Sequence, residues 1–114
     1  MSPSLLDFLQ HIINECAYIQ NVKKGKSRTE LLDDETISRA IVRSLEIIGE
    51  ATKKIPPEIK TKYPQINWTE ISGMRDVLIH DYFGIDYDVV WNTINQDIPE
   101  LYNELHIIIE IEGE

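Results

Sequence analysis

The sequence contains little cysteine and no long apolar run. Cys16 is the single cysteine, so an internal disulfide and a metal site built from several cysteines are both excluded. Its helical spacing from Ile12 and Ile13 favours a core residue over a reactive thiol. Apolar runs such as 107–109 are far too short to cross a bilayer, and residues 1–4 lack the regions of a signal peptide. We therefore expect a cytoplasmic protein without a membrane partner.

Glycine and proline are also scarce, with five residues each among 114, so the chain offers little linker material. Hydrophobic residues make up 42% of the chain, which suits a folded globule rather than a disordered segment. A chain of this length fits one hydrophobic core. We therefore predict a single domain over residues 1–114.

Positive charge is the third scarce feature. The chain has 11 basic and 20 acidic residues and a net charge of −9, which argues against broad, charge-driven binding of nucleic acid. A local basic patch or a basic partner is still permitted. Lys23, Lys24, Lys26 and Arg28 fall within 21–32, which we predict to be the first inter-helix loop. That loop is interpreted either as a solubilising segment or as a contact for an anionic ligand or partner.

Apolar residues at helical spacing predict two long helices in the first half of the chain. The first should run for about five turns, with Ser2 as its cap and Pro3 in its first turn. The second should begin after a cap at Asp33 or Asp34. Gly49 lies inside this second helix, where it costs about 1 kcal/mol relative to alanine. We therefore predict that another helix approaches closely at Gly49.

Two further helices are predicted in the second half. Asn67 should cap a third helix that continues to Tyr82 and ends at Gly84, because glycine accepts the left-handed conformation that closes helices. Asp86 should cap a fourth helix, which Pro99 should kink or divide. Because the connections are short, the pattern predicts an all-α fold, an antiparallel four- to five-helix bundle.

Two carboxylates on the predicted second helix could be mistaken for metal ligands. Glu46 and Glu50 lie one turn apart. Metal ligation would need further carboxylates or histidines at matching spacing, and the sequence offers none. We interpret the pair as surface acids or as partners of an arginine.

Residues 74–84 concentrate the side chains that could carry chemistry. The charge of Arg75 is permanent and suits phosphate or carboxylate oxygens. His80 can take or give a proton near neutral pH, and the Tyr82 hydroxyl can donate a hydrogen bond or act as a nucleophile. The alternative to a catalytic interpretation is a solvated or hydrogen-bonded pair of surface residues.

The spacing of these residues raises a geometric question. Arg75 and His80 are five residues apart, which is about 140° around an ideal helix, so position alone does not place them on one face. Three solutions are open. Arg75 reaches around the helix, the helix loosens near His80, or a second copy of the chain supplies one of the two.

The arrangement Arg75-x4-His80-x-Tyr82 resembles the signature of the HepT-like branch of the HEPN superfamily. The similarity is wider than the motif and covers nearly the whole chain. It includes residues 45–51, 63–68, 73–76 and 81–86, together with Trp91 and Leu101.

The resemblance implies a helical homodimer that serves as the toxin of a type VII toxin–antitoxin pair, with a minimal nucleotidyltransferase called MntA as its partner. HEPN toxins are metal-independent RNA endonucleases, so no cofactor is expected. Two copies of the motif would meet in one cleft at the dimer interface, which would resolve the 140° separation. We predict that the third helix and the end of the fourth form this interface.

The resemblance also implies roles for four residues. His80 would act as general base on the ribose 2′-hydroxyl or as general acid on the leaving oxygen. Arg75 would stabilise charge on the scissile phosphate, and Asp76 would orient His80. The products would carry a 2′,3′-cyclic phosphate and a 5′-hydroxyl. Tyr82 would accept AMP from the antitoxin, and the bulky anionic adduct would block the cleft.

Two interpretations without catalytic activity stay open. In the first, the chain is a non-catalytic helical binding module that serves as partner and AMP acceptor of the nucleotidyltransferase. In the second, it is a dimerising bundle without chemistry.

Overall fold

A computed structural model describes residues 4–80 and 84–113, apart from the side chains of Val77 and His80. The elements, in chain order, are α1 (Leu5–Lys23), α2 (Arg28–Leu32), α3 (Glu35–Lys53), α4 (Pro57–Lys62), α5 (Trp68–Ser72), α6 (Met74–Leu78), β1 (Ile79–His80), β2 (Gly84–Ile85), α7 (Tyr87–Asn92), a π-helical segment (Thr93–Asp97) and α8 (Ile98–Glu112). The predicted all-α fold class is confirmed, and among the described residues only two antiparallel strands of two residues each depart from it.

The core lies between α1, α3 and α8, the three long helices. The largest fully buried side chains are Leu9, Ile12, Ile19, Leu31, Ile41, Leu45, Ile48, Leu78, Ile94, Ile98, Leu105 and Ile108. Cys16 lies among them with no exposed surface. Burial, with a smaller contribution from the Glu15 charge, raises the pKa of its thiol to about 12. The interpretation of Cys16 as a core residue is therefore confirmed.

The start of α1 differs from the prediction. Ser4, rather than Ser2, is the cap: its hydroxyl accepts from the Asp7 amide at 3.2 Å, and the Asp7 carboxylate accepts from the Ser4 amide at 2.9 Å. This reciprocal pair fixes the first helical residue at Leu5. Ser2 and Pro3 lie outside the described residues. The predicted cap of the second long helix is confirmed at Asp34, whose carboxylate accepts from the Ile37 amide at 3.0 Å.

The segment predicted as a loop over 21–32 is largely helical, so that prediction is wrong. The first helix continues to Lys23, and a short helix spans Arg28–Leu32. A capping box formed by Ser27 and Glu30 starts the short helix, and Leu31 is fully buried in the core. The capping box and the apolar residue are both visible in the sequence, but the high lysine content favoured the interpretation as a loop.

The third helix is interrupted, and it ends earlier than predicted. The Asn67 cap is confirmed, but helix α5 stops at Ser72, helix α6 follows Gly73, and Ile79 takes an extended conformation. Strand β1 then pairs with β2 in antiparallel register, His80 opposite Gly84. Gly84 does adopt a positive φ of 77°, but it lies in a strand and not at a helix end. Ile79 and His80 therefore form strand hydrogen bonds with Gly84 and Ile85 instead of continuing the helix.

The fourth helix is divided near Pro99, as predicted. Asp86 caps α7 by accepting from the amides of Asp88 at 3.1 Å and Val89 at 3.2 Å. A π-helical turn over Thr93–Asp97 follows, and Pro99 stands in the first turn of α8. Because proline has no amide hydrogen, it cannot donate to the preceding turn, and the ladder changes register there. Among the described helices, none combines the length and the apolar character needed to span a membrane.

Candidate active site

Helix α6 presents Arg75 and Asp76 to solvent. Met74 is buried against the core with 6% of its surface exposed, and Leu78, one turn later, is fully buried. The residues between these two anchors at the start of the helix therefore point outward, and both Arg75 and Asp76 are exposed. The Asp76 amide donates to the Gly73 carbonyl at 3.0 Å, which sets the beginning of this helix.

Gly49 controls how closely this segment approaches α3. A Cβ atom at Gly49 would lie 3.1 Å from the Ile71 carbonyl oxygen and 3.6 Å from both the Met74 Cβ and the Ser72 carbonyl oxygen. The first of these distances is tighter than ordinary van der Waals contact and involves backbone. The predicted close approach at Gly49 is therefore confirmed, and the approaching residues are the end of α5 and Met74, the residue before Arg75.

Arg75 and Asp76 line an open pocket of about 350 Å³ between the end of α3 and the α5–α6 segment. Glu50 and Lys53 supply the α3 wall, and their side chains pair at 3.2 Å. Within the described part of the chain, Arg75 forms no ion pair. A guanidinium that is exposed and not neutralised by a carboxylate can bind a phosphate at two of its nitrogen atoms.

Ser72, which carries a hydroxyl group, also lines this pocket. Its oxygen is buried and finds no hydrogen-bond partner among the described residues. A buried hydroxyl without a partner costs free energy, which is consistent with a place where a ligand or water completes the hydrogen bonding. Over residues 4–80 and 84–113, no group of three or more metal-ligating side chains comes together.

The backbone of His80 lies next to this pocket, but its side chain is outside the description, as are Asp81, Tyr82 and Phe83. Ile79, directly before His80, lines the pocket, and its amide donates to the Arg75 carbonyl. Helix α6 ends at Leu78, so the 140° separation of an ideal helix does not describe the two catalytic candidates. The convergence of Arg75, His80 and Tyr82 therefore stays a prediction.

The sequence indicated one of the residues that share the pocket with Arg75 and gave no signal for two others. Glu50 was interpreted as a surface acid or the partner of an arginine, and it does share the pocket with Arg75. Lys53 and Ser72 carried no comparable signal. The spacing of Glu50 and Lys53 places them on one face of α3. No signal in the neighbouring sequence indicates that this face contacts the segment of Arg75, which lies more than twenty positions later.

Comparison with known proteins gives a consistent result. A family model described as Ribonuclease HepT-like matches residues 12–108. A "Putative RNase" of Caldanaerobacter subterraneus subsp. tengcongensis is 46% identical over 105 residues, which are 92% of this chain and 94% of that protein. A "Putative RNase" of Methanocaldococcus jannaschii is 48% identical over 107 residues, 93% of this chain and 88% of that protein.

A third relative carries a more specific name. The "Probable ribonuclease HepT" of Thermococcus cleftensis is 42% identical over 101 residues, which cover 89% of this chain and 92% of that protein. No solved structure matches the chain significantly.

Proposed function

The chain belongs to the ribonuclease HepT-like family, and from that premise we propose that it is the RNA-cleaving toxin of a type VII toxin–antitoxin pair in the cytoplasm. It acts as an RNA endonuclease, and its partner is an MntA-like nucleotidyltransferase. The observation that carries the proposal is the state of Arg75. This residue is exposed, has no ion pair among the described residues, and lines a pocket directly beside the strand of His80.

The proposed reaction uses the substrate's own hydroxyl as nucleophile. The ribose 2′-oxygen attacks the adjacent phosphorus, and the bond between that phosphorus and the 5′-oxygen breaks. His80 takes the proton of the 2′-hydroxyl or gives a proton to the leaving oxygen. Arg75 stabilises the charge that develops on the phosphate, and Asp76 orients His80. The reaction requires no metal ion and no cofactor.

A homodimer is part of the proposal, with α5, α6 and the end of α8 as its surface. Exposed apolar side chains on α8 support this choice. Ile107 is 49% exposed and Ile111, one turn later, is 48% exposed. Large apolar groups on a helix surface favour burial against another surface. In the dimer, two copies of the motif form one cleft.

Purified protein should cut single-stranded RNA in the presence of EDTA. Side chains alone move the protons, so removal of metal ions should not stop the reaction. The fragments should carry 2′,3′-cyclic phosphate and 5′-hydroxyl ends, because the 2′-oxygen is the nucleophile and the 5′-oxygen is the leaving group. Gel electrophoresis measures the cutting, and mass spectrometry of the fragments identifies the ends. A DNA strand of the same sequence is the control, since it lacks the 2′-hydroxyl. Loss of cutting in EDTA, or equal cutting of the DNA, would contradict the mechanism.

A second surface favours a protein partner as well. A groove of about 370 Å³ between α5 and α8 has an apolar floor that includes Met74 and Leu101. Its rim carries the carboxylates of Glu70, Asp97, Glu100 and Glu104. Burial, followed by the Glu70 and Glu100 charges, raises the pKa of Asp97, as expected where acids crowd together. A basic segment of the nucleotidyltransferase would neutralise this rim. The groove therefore supports the alternative that this chain is a binding partner of the nucleotidyltransferase.

Incubation with the cognate nucleotidyltransferase and ATP should add the mass of AMP to the peptide that contains Tyr82. The phenol oxygen attacks the α-phosphorus of ATP, pyrophosphate leaves, and the phenol proton passes to a base. Tyr82→Phe should show no adduct and should continue to cut RNA in the presence of the partner. Tyr87→Phe, at an exposed tyrosine of α7, is the matched control and should be modified as the parent is. An adduct on another residue, or none on the parent, would refute the assignment of Tyr82.

A further inference from the structure

Three lysines are held together in a turn at the end of α1. The segment Lys23–Lys26, here called the lysine turn, has Lys24 at φ −58° and ψ 122° and Gly25 at φ +71°. The Lys26 amide donates to the Lys23 carbonyl at 3.0 Å. These values define a type II turn, which needs glycine at its third position. Gly25 therefore permits the turn that places Lys23, Lys24 and Lys26 close together in the chain.

The lysine turn forms one side of a cavity of about 550 Å³. This volume lies within the range typical of small-ligand sites. Gln20 of α1 and the aromatic rings of Trp91 and Tyr102 supply much of the remaining wall. Both rings are only half-buried, so they offer planar apolar surface at an opening that is otherwise basic.

Several hydrogen-bond donors line this cavity. Lys23 is engaged, because its ammonium donates to the Asn95 side-chain oxygen at 3.1 Å, and the Asn95 amide nitrogen donates to the Trp91 carbonyl at 2.8 Å. Lys24 and Lys26 are exposed and form no ion pair within the described residues. The side-chain nitrogen of Gln20 is buried and has no acceptor there. A buried donor without an acceptor costs free energy, which an anionic ligand would recover.

This cavity is separate from the pocket of Arg75. Residues 24–34, which include α2, join α1 to α3. The Ser44 hydroxyl of α3 donates to the Glu15 carboxylate of α1 at 2.7 Å where the two helices are in contact. The end of α1 therefore lies near the start of α3, whereas Glu50 and Lys53 of the Arg75 pocket lie near its end. At a rise of about 1.5 Å per residue, the two sites are about 20 Å apart along the bundle.

We propose that this cavity binds one nucleotide of a single-stranded RNA substrate at a distance from the scissile bond. Lys24 and Lys26 contact the phosphate, Gln20 donates to it or to the base, and the base stacks against Trp91 and Tyr102. Stacking on aromatic rings beside a basic groove is the general mode of single-strand recognition. The inference rests on the proposed ribonuclease function and adds the means by which an acidic protein holds an acidic substrate.

The test compares Lys24→Gln/Lys26→Gln with the parent on two substrates. One is a single-stranded RNA of about twenty nucleotides and the other is a dinucleotide. A stacked strand advances about 3.4 Å per nucleotide, so only the longer substrate spans the separation of about 20 Å. The variant should raise KM about tenfold for the long RNA, leave kcat unchanged, and leave the dinucleotide unaffected. The slope of log Kd against log salt should fall by about 0.7, since the contact with one phosphate is lost.

Arg39→Gln/Lys60→Gln removes the same charge elsewhere and should behave as the parent does. An unchanged KM for the long RNA, or an equal loss on the dinucleotide, would overturn the inference. Competition by AMP tests whether the cavity binds a free nucleotide instead of RNA. If AMP displaces labelled RNA from the parent at a lower concentration than unlabelled RNA does, the RNA assignment is wrong. If the parent cuts no RNA, the proposed function fails. In that case the Kd of labelled RNA, compared between the parent and the variant, still decides whether the lysine turn binds RNA.

Discussion

Replacing His80 with alanine is expected to lower the rate of RNA cleavage by about a hundredfold to ten-thousandfold, the usual contribution of a positioned acid or base. The same variant should no longer inhibit growth when it is expressed. The effect should appear in kcat measured with a labelled RNA, because proton transfer is lost while the substrate contacts remain. Light scattering should show the same dimer as for the parent, since the variant leaves the proposed dimer contacts of α5, α6 and the end of α8 unchanged.

His11 provides a matched control for this experiment. It is exposed on α1, outside the pocket of Arg75, so His11→Ala should cut RNA at the parent rate. A His80→Ala protein that cuts as well as the parent would show that His80 is neither the acid nor the base. A monomer at micromolar concentration, for the parent, would remove the shared cleft. Loss of cutting together with loss of the dimer would show that His80 acts through assembly.

Replacing Gly49 with leucine should destabilise the fold by about 1–3 kcal/mol, the usual cost of overpacking a close contact. A Cβ at this position already comes within 3.1 Å of the Ile71 carbonyl oxygen, and leucine adds three further carbon atoms. Denaturant unfolding followed by circular dichroism measures the change. Each kcal/mol should lower Tm by about 4–8 °C in a domain near this size. The α5–α6 segment must also move away from α3, so RNA cleavage should fall at temperatures where the protein is still folded.

Arg43→Leu places the same side chain on the exposed face of the same helix. Its free energy of unfolding should stay within about 0.5 kcal/mol of the parent, as is usual for surface substitutions. Unchanged stability of Gly49→Leu would mean that α3 and the α5–α6 segment do not approach as closely as described. A folded, destabilised Gly49→Leu that retains full activity would show that this contact supports the fold without positioning Arg75.

Several elements were predictable because their signals are local. Asp34, Asn67 and Asp86 cap helices where the sequence placed caps, since a cap is decided by hydrogen bonds within about three residues. The buried positions of α1 and α3 follow the helical spacing of their apolar residues, because each helix must turn one face to the core. Pro99 divides the last helix for an equally local reason, its missing amide hydrogen.

The end of the third helix was not predictable in the same way. Nothing between Leu78 and His80 breaks a helix by itself, and the sequence pattern predicts that the helix closes at Gly84. The helix ends at Leu78 because Ile79 and His80 pair with Gly84 and Ile85, and the Asp86 amide donates to the Leu78 carbonyl at 2.8 Å. These bonds join residues that precede position 81 to residues that follow position 83, so their energy depends on how the chain folds rather than on the propensity of any one residue.

The sequence by itself determined that this is a helical protein of the HepT-like family, with one buried thiol and one segment rich in chemically active side chains. Only the tertiary structure decided where that segment leaves the helix, that Glu50, Lys53 and Ser72 share a pocket with Arg75, and that the lysine turn faces Trp91 and Tyr102. The physical reason is range. Caps and helical faces depend on neighbours within one or two turns, whereas pockets and strand pairs are formed by residues that meet only when the chain has folded.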